Sequence, residues 1–138
     1  MNPVLIVEQH VASDPASVYA AWTSADRLAA WWWPQLSDTT YAVDATVGGH
    51  YRIESKGAGI GVRGEYLRLN PPHEIAMTWE WLTDGEADPP EQVSVRFEAV
   101  DGGTLVRVTH EPATPEATTT YREGWESVLD RLAAYRAA

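Results

Sequence analysis

The sequence predicts an α+β fold in which a curved antiparallel sheet of six to seven strands wraps around one long C-terminal helix. Three observations predict this fold. The segment from Pro115 to about Arg136 contains no further proline, and its apolar residues recur at helical spacing. The middle of the chain holds short alternating segments, too closely spaced for helical crossovers, which indicates antiparallel pairing. Two short helical segments follow the first predicted strand, and we expect them to close one end of the sheet.

The composition limits the classes of function. A length of 138 residues predicts a single domain, residues 1–138. The chain has 20 acidic and 10 basic residues, and the resulting charge of −10 repels phosphate, so we expect no nucleic-acid partner. The absence of cysteine excludes thiol catalysis and thiolate metal sites. We find no signal peptide and no apolar run that would insert in a membrane, and we expect a cytoplasmic protein.

The N-terminal quarter predicts one strand and two helices. The strand is Val4–Val11, which is rich in β-branched residues. The first helix has Asp14 as its cap and Pro15 at its first position, where the missing N–H of proline has no cost. Ser24 caps the second helix, which runs from Ala25 to about Trp32.

Six further strands are predicted before the last helix, separated by turn residues. They are Thr39–Ala45, His50–Ser55, Val62–Leu69, Ile75–Trp81, Val93–Ala99 and Thr104–Glu111. The acidic segment Thr83–Glu91 contains two prolines and is predicted to be an exposed loop. Gly59–Gly64 matches the G-x-G-x-x-G pattern, but it leads into a strand, so we interpret it as a hairpin turn and not as a dinucleotide site.

The C-terminal helix is predicted to begin with Thr114 as its cap and Pro115 at its first position. Its apolar face consists of Tyr121, Trp125, Val128, Leu129, Leu132 and Tyr135. Gly124 interrupts this helix at a cost of about 1 kcal/mol relative to alanine. We interpret it as a position that another backbone or a ligand approaches closely, or alternatively as a tolerated kink.

Aromatic residues are the positive evidence for a binding site. The chain has seven tryptophans and six tyrosines but a single phenylalanine. Strand and helix periodicity directs several of them into the space between sheet and helix, where they would line an apolar pocket. The predicted ligand-binding residues are Tyr51, Tyr66, Met77, Trp79, Trp81, His110, Tyr121 and Trp125. For each residue singly, ordinary core packing is the alternative. Trp31–Trp33 either closes the mouth of the pocket or forms the surface of a homodimer.

His110 is the one titratable residue that the alternation places on the inner face. It is a candidate acid/base group, and the alternative is a buried histidine whose hydrogen bonds are satisfied by a backbone carbonyl or a tyrosine. The pairs His73-Glu74 and His110-Glu111 lack a second histidine at the spacing of a zinc motif. We expect neither a metal nor a cofactor.

Several short segments together resemble one family over nearly the whole chain. They are Val18–Thr23, Trp31–Pro34, Val47–Arg52, Gly64–Tyr66, Asn70–Pro72, Met77–Trp81, Gly103–His110 and Glu123–Trp125. In order and spacing they resemble the bacterial homologues of the C-terminal domain of the Hsp90 ATPase activator, members of the START-like, helix-grip (SRPBCC) superfamily. The resemblance implies the same α+β fold. Members of the superfamily bind lipids, plant hormones, polyketides or flavonoids, and some are cyclases or dehydratases.

The leading hypothesis is therefore a protein that binds a small hydrophobic or aromatic molecule without a cofactor. One alternative is an enzyme of the polyketide cyclase or dehydratase type, with His110 as acid/base and Tyr66 or Tyr121 orienting the substrate. The other is a stress- or chaperone-related interaction module. Co-chaperones of this family carry an additional N-terminal domain, whereas this sequence starts at Met1 directly before its first strand, which disfavours a co-chaperone role.

Overall fold

The computed structural model describes residues 4–135, so the predicted helix end at Arg136 lies outside the described residues. The strands are β1 (Leu5–Val11), β2 (Thr40–Val43), β3 (His50–Ser55), β4 (Ile60–Asn70), β5 (Glu74–Thr83), β6 (Glu86–Ala87), β7 (Glu91–Val100) and β8 (Gly103–Glu111). The helices are α1 (Pro15–Trp22), α2 (Ala25–Trp31) and α3 (Ala117–Ala134). The predicted α+β class and the order of its elements are confirmed.

The strands form an antiparallel sheet with the order β1-β8-β7-β5-β4-β3-β2, and β6 pairs with β5 outside this order. The prediction of an exposed loop over Thr83–Glu91 is therefore wrong in part, because the two residues of β6 pair with β5 within this segment. Asp84 and Gly85 both have positive φ angles, 50° and 86°, which is the backbone of a tight hairpin turn. An Asp-Gly pair is a hairpin signal, and the acidic composition of the segment obscured it.

The G-x-G-x-x-G pattern lies in a hairpin, as predicted. Gly59 (φ 70°) ends the turn and β4 begins at the next residue. Gly64 stands opposite Tyr51 in the β3–β4 ladder, and a Cβ atom at Gly64 would lie 2.0 Å from the carbonyl oxygen of Thr78. Glycine is needed here because the neighbouring strand approaches too closely for any side chain.

The start of α3 differs from the prediction. Thr114 and Pro115 do not cap the helix but form turns, in which Ala117 N–H donates to Thr114 O (3.3 Å) and Thr118 N–H donates to Pro115 O (3.2 Å). These i to i+3 bonds are tighter than those of an α-helix, so the regular helix starts only at Ala117. The buried residues of α3 are Trp125, Val128, Leu129 and Leu132, four of the six predicted ones.

Tryptophans join the two short helices to the core. Trp31 is fully buried, and its indole N–H donates to the carbonyl of Ala21 in α1 (3.1 Å). Trp32 and Trp33 are buried as well. The three tryptophans therefore do not form an exposed dimer surface, as one interpretation of the sequence had it, and the homodimer itself stays a prediction. No helix within residues 4–135 is long and apolar enough to cross a bilayer.

Candidate functional site

A cavity of about 400 Å³, partly open to solvent, lies between the sheet, the segment after α2 and the part of α3 from Ala117 to Val128. This volume falls within the range of about 300–1,000 Å³ that is common for small-molecule sites. Its lining residues are Trp32, Trp33, Ile60, Trp79, Trp81, Ala117, Thr120, Tyr121, Gly124, Trp125 and Val128. Among the described residues, none of those in the lining carries a charge.

The cavity exists because one side of α3 is narrow. Ala117, Thr120 and Gly124 are small residues spaced by three and four positions, so they share one side of the helix. Nothing among the described residues lies within 4 Å of a Cβ atom built at Gly124. Close approach of another backbone is thus not the reason for this glycine, and the space beside it belongs to the cavity.

Aromatic rings form the other sides of the cavity, and some neighbouring rings stand nearly at right angles, whereas Trp79 and Trp125 are tilted by 42°. The ring of Trp81 meets Trp33 at 83° (centroids 5.9 Å apart) and Tyr121 at 81° (6.4 Å). Trp125 meets Trp32 at 89° (5.6 Å). Such edge-to-face pairs add about 0.5–1.5 kcal/mol each beyond the burial of their area. They hold the rings in fixed orientations around the empty space.

Trp33 reaches the cavity through an unusual backbone. Its φ angle is 52°, in the left-handed region that is unfavourable for a bulky residue. This conformation costs about 1–2 kcal/mol. Strained residues of this kind are concentrated at functional sites. The strain turns the Trp33 ring onto Trp81 of β5, so the tryptophan run closes one side of the cavity.

His110 lies behind this aromatic lining and is fully buried. The Trp125 indole N–H donates to His110 Nδ1 (3.0 Å). Because an indole can only donate, Nδ1 accepts and the ring proton of neutral His110 resides on Nε2. That N–H donates to Glu91 Oε1 (2.7 Å), and Glu91 Oε2 accepts from the Ala113 N–H (2.7 Å).

Both ring nitrogens of His110 are thus engaged, and the network links β7, β8, the turn before α3 and α3 itself. Burial lowers the pKa of His110 below its usual value, although the hydrogen bond and the charge of Glu91 act in the opposite direction. These contacts agree with the alternative prediction, a buried histidine whose hydrogen bonds are satisfied. The partners of His110 are Glu91 and Trp125, however, and not a backbone carbonyl or a tyrosine. The acid/base role of His110 stays a prediction.

The sequence matches one protein family over most of its length. The family model described as activator of Hsp90 ATPase homolog 1-like protein matches residues 12–137. The chain belongs to this AHSA1-like family. A comparison with curated proteins yields no match.

Solved structures share the fold of this AHSA1-like chain. DynU16, a protein in the dynemicin biosynthetic locus, is 20% identical and has a TM-score of 0.82. The match covers 98% of this chain and 47% of the DynU16 chain. CalU16 from Micromonospora echinospora is 24% identical (TM-score 0.75), and the match covers 95% of this chain and 74% of the CalU16 chain. The AHSA1-like protein from Aeromonas hydrophila is 26% identical (TM-score 0.75), and the match covers 96% of this chain and 91% of that protein. The chain thus spans about half the length of DynU16 and has the START-like, helix-grip fold.

Four of the eight predicted ligand-binding residues line the cavity of this AHSA1-like protein, namely Trp79, Trp81, Tyr121 and Trp125. Tyr51, Tyr66 and Met77 are buried outside its lining. The Tyr51 hydroxyl donates to Thr78 O (2.6 Å), and its ring packs on Tyr66 with centroids 5.5 Å apart. Burial raises the pKa of both phenols, which stay neutral in the core. These three residues therefore pack in the core, which was the alternative to ligand contact.

The polar side chains of the lining include Thr120 and Tyr121 on adjacent positions of α3. Burial, followed by the charge of Glu91, raises the pKa of Tyr121 to about 12, so its hydroxyl stays protonated at neutral pH. Sequence reasoning missed Thr120, Ala117 and Ile60. The helical spacing of the small residues 117, 120 and 124 was the available signal for the first two.

Replacing Gly124 with alanine is expected to stabilise the protein by about 0.5–1 kcal/mol, because a helical glycine loses more backbone entropy on folding and the new methyl group meets open space. Urea denaturation measures this change. Gly64→Ala is the matched control. It is expected to lower the stability, because its methyl group would overlap the carbonyl oxygen of Thr78. A Gly124→Ala variant that is less stable than the parent would show that the helix wall has no free space.

Proposed function

We propose that this protein binds a small hydrophobic, aromatic molecule in the cavity between β5 and α3. The observation that carries the proposal is the lining itself. It brings tryptophans from the segment after α2, from β5 and from α3 around about 400 Å³ of space, without a charged side chain among its described residues. Indole rings offer large rigid contact areas at a low cost in conformational entropy.

The polar groups of the lining indicate which ligands fit. Thr120 and Tyr121 place two hydroxyl groups on one turn of the helix wall. A ligand with an apolar, flat body and one or two oxygen atoms would bury its rings among the indoles and bond to these hydroxyl groups. The likeness to DynU16, at 20% identity, supports the fold only, so the ligand class rests on the cavity.

The enzyme alternative lacks a comparable observation. An acid/base residue must reach the proton that it transfers. Among the described residues the cavity lining does not include His110, and the imidazole is bonded to Trp125 and Glu91 on its two sides. We therefore propose binding as the function of the cavity.

Titration with 2-naphthol and naphthalene, followed by tryptophan fluorescence, tests the proposal. The cavity lining includes Trp32, Trp33, Trp79, Trp81 and Trp125, so binding is expected to change a large share of the emission of the seven tryptophans. Gly124→Leu, which places a side chain in the cavity, is expected to weaken binding by at least about tenfold, or 1.4 kcal/mol.

The control for this variant is Glu126→Leu, which adds the same side chain to an exposed position of α3 outside the lining. It should bind like the parent protein, and circular dichroism should show that both variants are folded. Absence of any fluorescence change with both ligands, or equal affinity of the Gly124→Leu variant and the parent, would refute the proposal.

A further inference from the structure

Resting on the proposed function, we infer that the cavity selects organic cations, in which a quaternary ammonium group is joined to an apolar or aromatic body. Two independent features carry this inference. One is the aromatic lining, and the other is a loop with three carboxylates beside it. This inference adds a positive charge to the ligand of the proposed function, because an apolar cavity without other features would favour a neutral molecule.

The lining has the composition of an aromatic cage. The face of an aromatic ring carries partial negative charge and attracts a cation within about 6 Å of the ring centroid, with tryptophan the strongest of the three aromatic types. Trp81 stands between Trp33 and Tyr121 with ring planes at 83° and 81°, like adjacent sides of a box. A tetrahedral ammonium group makes favourable contacts where aromatic rings stand on several of its sides.

A diffuse cation also suits this cavity better than a primary ammonium ion. Within the described part of the chain the lining offers no carboxylate that would pair directly with an N–H donor. A quaternary trimethylammonium group has no N–H group to satisfy, so its transfer from water leaves no hydrogen bond unmade. Contact with ring faces is the interaction that remains available to it.

The three carboxylates are Asp84, Glu86 and Asp88, in the segment that follows Trp81. Backbone hydrogen bonds fix this segment beside the cavity. The Asp88 N–H donates to the carbonyl of Trp81, a lining residue (2.8 Å). The Asp84 N–H donates to Gly59 O (3.0 Å), directly before the lining residue Ile60. The acidic loop is therefore anchored to the lining at two points.

One carboxylate of this loop, Asp88, acts on the lining. Glu91 of β7 and, to a smaller extent, Asp88 contribute to the raised pKa of Tyr121, a lining residue, because their negative charges disfavour its ionised form. The same potential favours a cation in that space. The β3–β4 turn also carries Lys56, which offsets one charge, and Arg63 of β4 is paired with Glu80 (3.5 Å).

The test compares two ligands of equal shape, phenyltrimethylammonium and tert-butylbenzene, by isothermal titration calorimetry with the full chain. We expect the cation to bind about tenfold more tightly, since cation–π contacts in a partly desolvated site are strong enough to produce such a ratio. Raising the salt concentration should weaken only the binding of the cation. Equal affinities, or tighter binding of tert-butylbenzene, would overturn the inference and leave the proposed function standing, whereas binding of neither ligand would contradict both.

A charge-matched pair of variants tests the loop. The Asp84→Asn/Asp88→Asn variant should lose about threefold or more in affinity for phenyltrimethylammonium and keep its affinity for tert-butylbenzene. The control Glu98→Gln/Asp101→Asn removes the same charge from the β7–β8 hairpin, at the other end of β7 from Glu91. If both variants change the cation affinity equally, net charge rather than the anchored loop is responsible, and the assigned role of Asp84 and Asp88 is wrong.

Discussion

Replacing Trp125 with alanine is expected to lower the free energy of unfolding by about 4–6 kcal/mol, because the substitution removes both core packing and a buried hydrogen bond. The indole is buried, packs on Trp79 with ring centroids 5.0 Å apart, and supplies the hydrogen bond to His110 Nδ1. Its removal joins a core void to the existing cavity and leaves a buried nitrogen atom without its donor. Because small domains have about 5–15 kcal/mol of stability, this variant will be close to unfolding.

Conservative variants separate the hydrogen bond from the packing. Trp125→Phe and Trp22→Phe remove similar aromatic volume from buried positions. The indole N–H of Trp22 has no hydrogen-bond partner among the described residues, whereas that of Trp125 bonds to His110. Urea denaturation should therefore show that Trp125→Phe costs about 1–2 kcal/mol more than Trp22→Phe. Equal costs would mean that the bond to His110 contributes nothing to stability.

Replacing Glu91 with alanine is expected to cost about 2–4 kcal/mol, because one carboxylate serves two donors. Its oxygens accept from His110 Nε2–H and from the Ala113 N–H, and its side chain is only 10% exposed. The loss leaves the buried imidazole N–H unpaired and releases the turn that leads into α3. Since that turn positions Ala117 and Tyr121, ligand affinity is expected to fall together with stability.

The matched control is Glu98→Ala, an exposed glutamate on the same strand, which should change stability by no more than about 0.5 kcal/mol. Nuclear magnetic resonance of the imidazole gives a second measurement. The charge and hydrogen bond of Glu91 raise the pKa of His110 against the effect of burial, so Glu91→Ala should lower that pKa further. An unchanged or higher pKa would contradict the hydrogen-bond network of Glu91, His110 and Trp125.

Much of the fold was predictable because periodicity is a local property. The alternation in Ile75–Trp81 places Trp79 and Trp81 on one face of β5, and helical spacing places Tyr121 and Trp125 on the inner face of α3. These four residues line the cavity. Alternation could not show that Tyr51 and Tyr66 lie outside the cavity lining, because it determines which face of the sheet a residue occupies and not its position along the sheet.

The order of the elements along the chain, the two short helices and the aromatic character of the interior thus follow from the sequence, because they depend on spacing and composition along the chain. The position of the cavity does not. It depends on the packing of Trp33 on Trp81, on the positive φ angle of Trp33 and on Glu91 joining His110 to the turn before α3. Each of these features joins residues far apart in sequence or needs a backbone state that residue type does not predict, so only tertiary packing determines them.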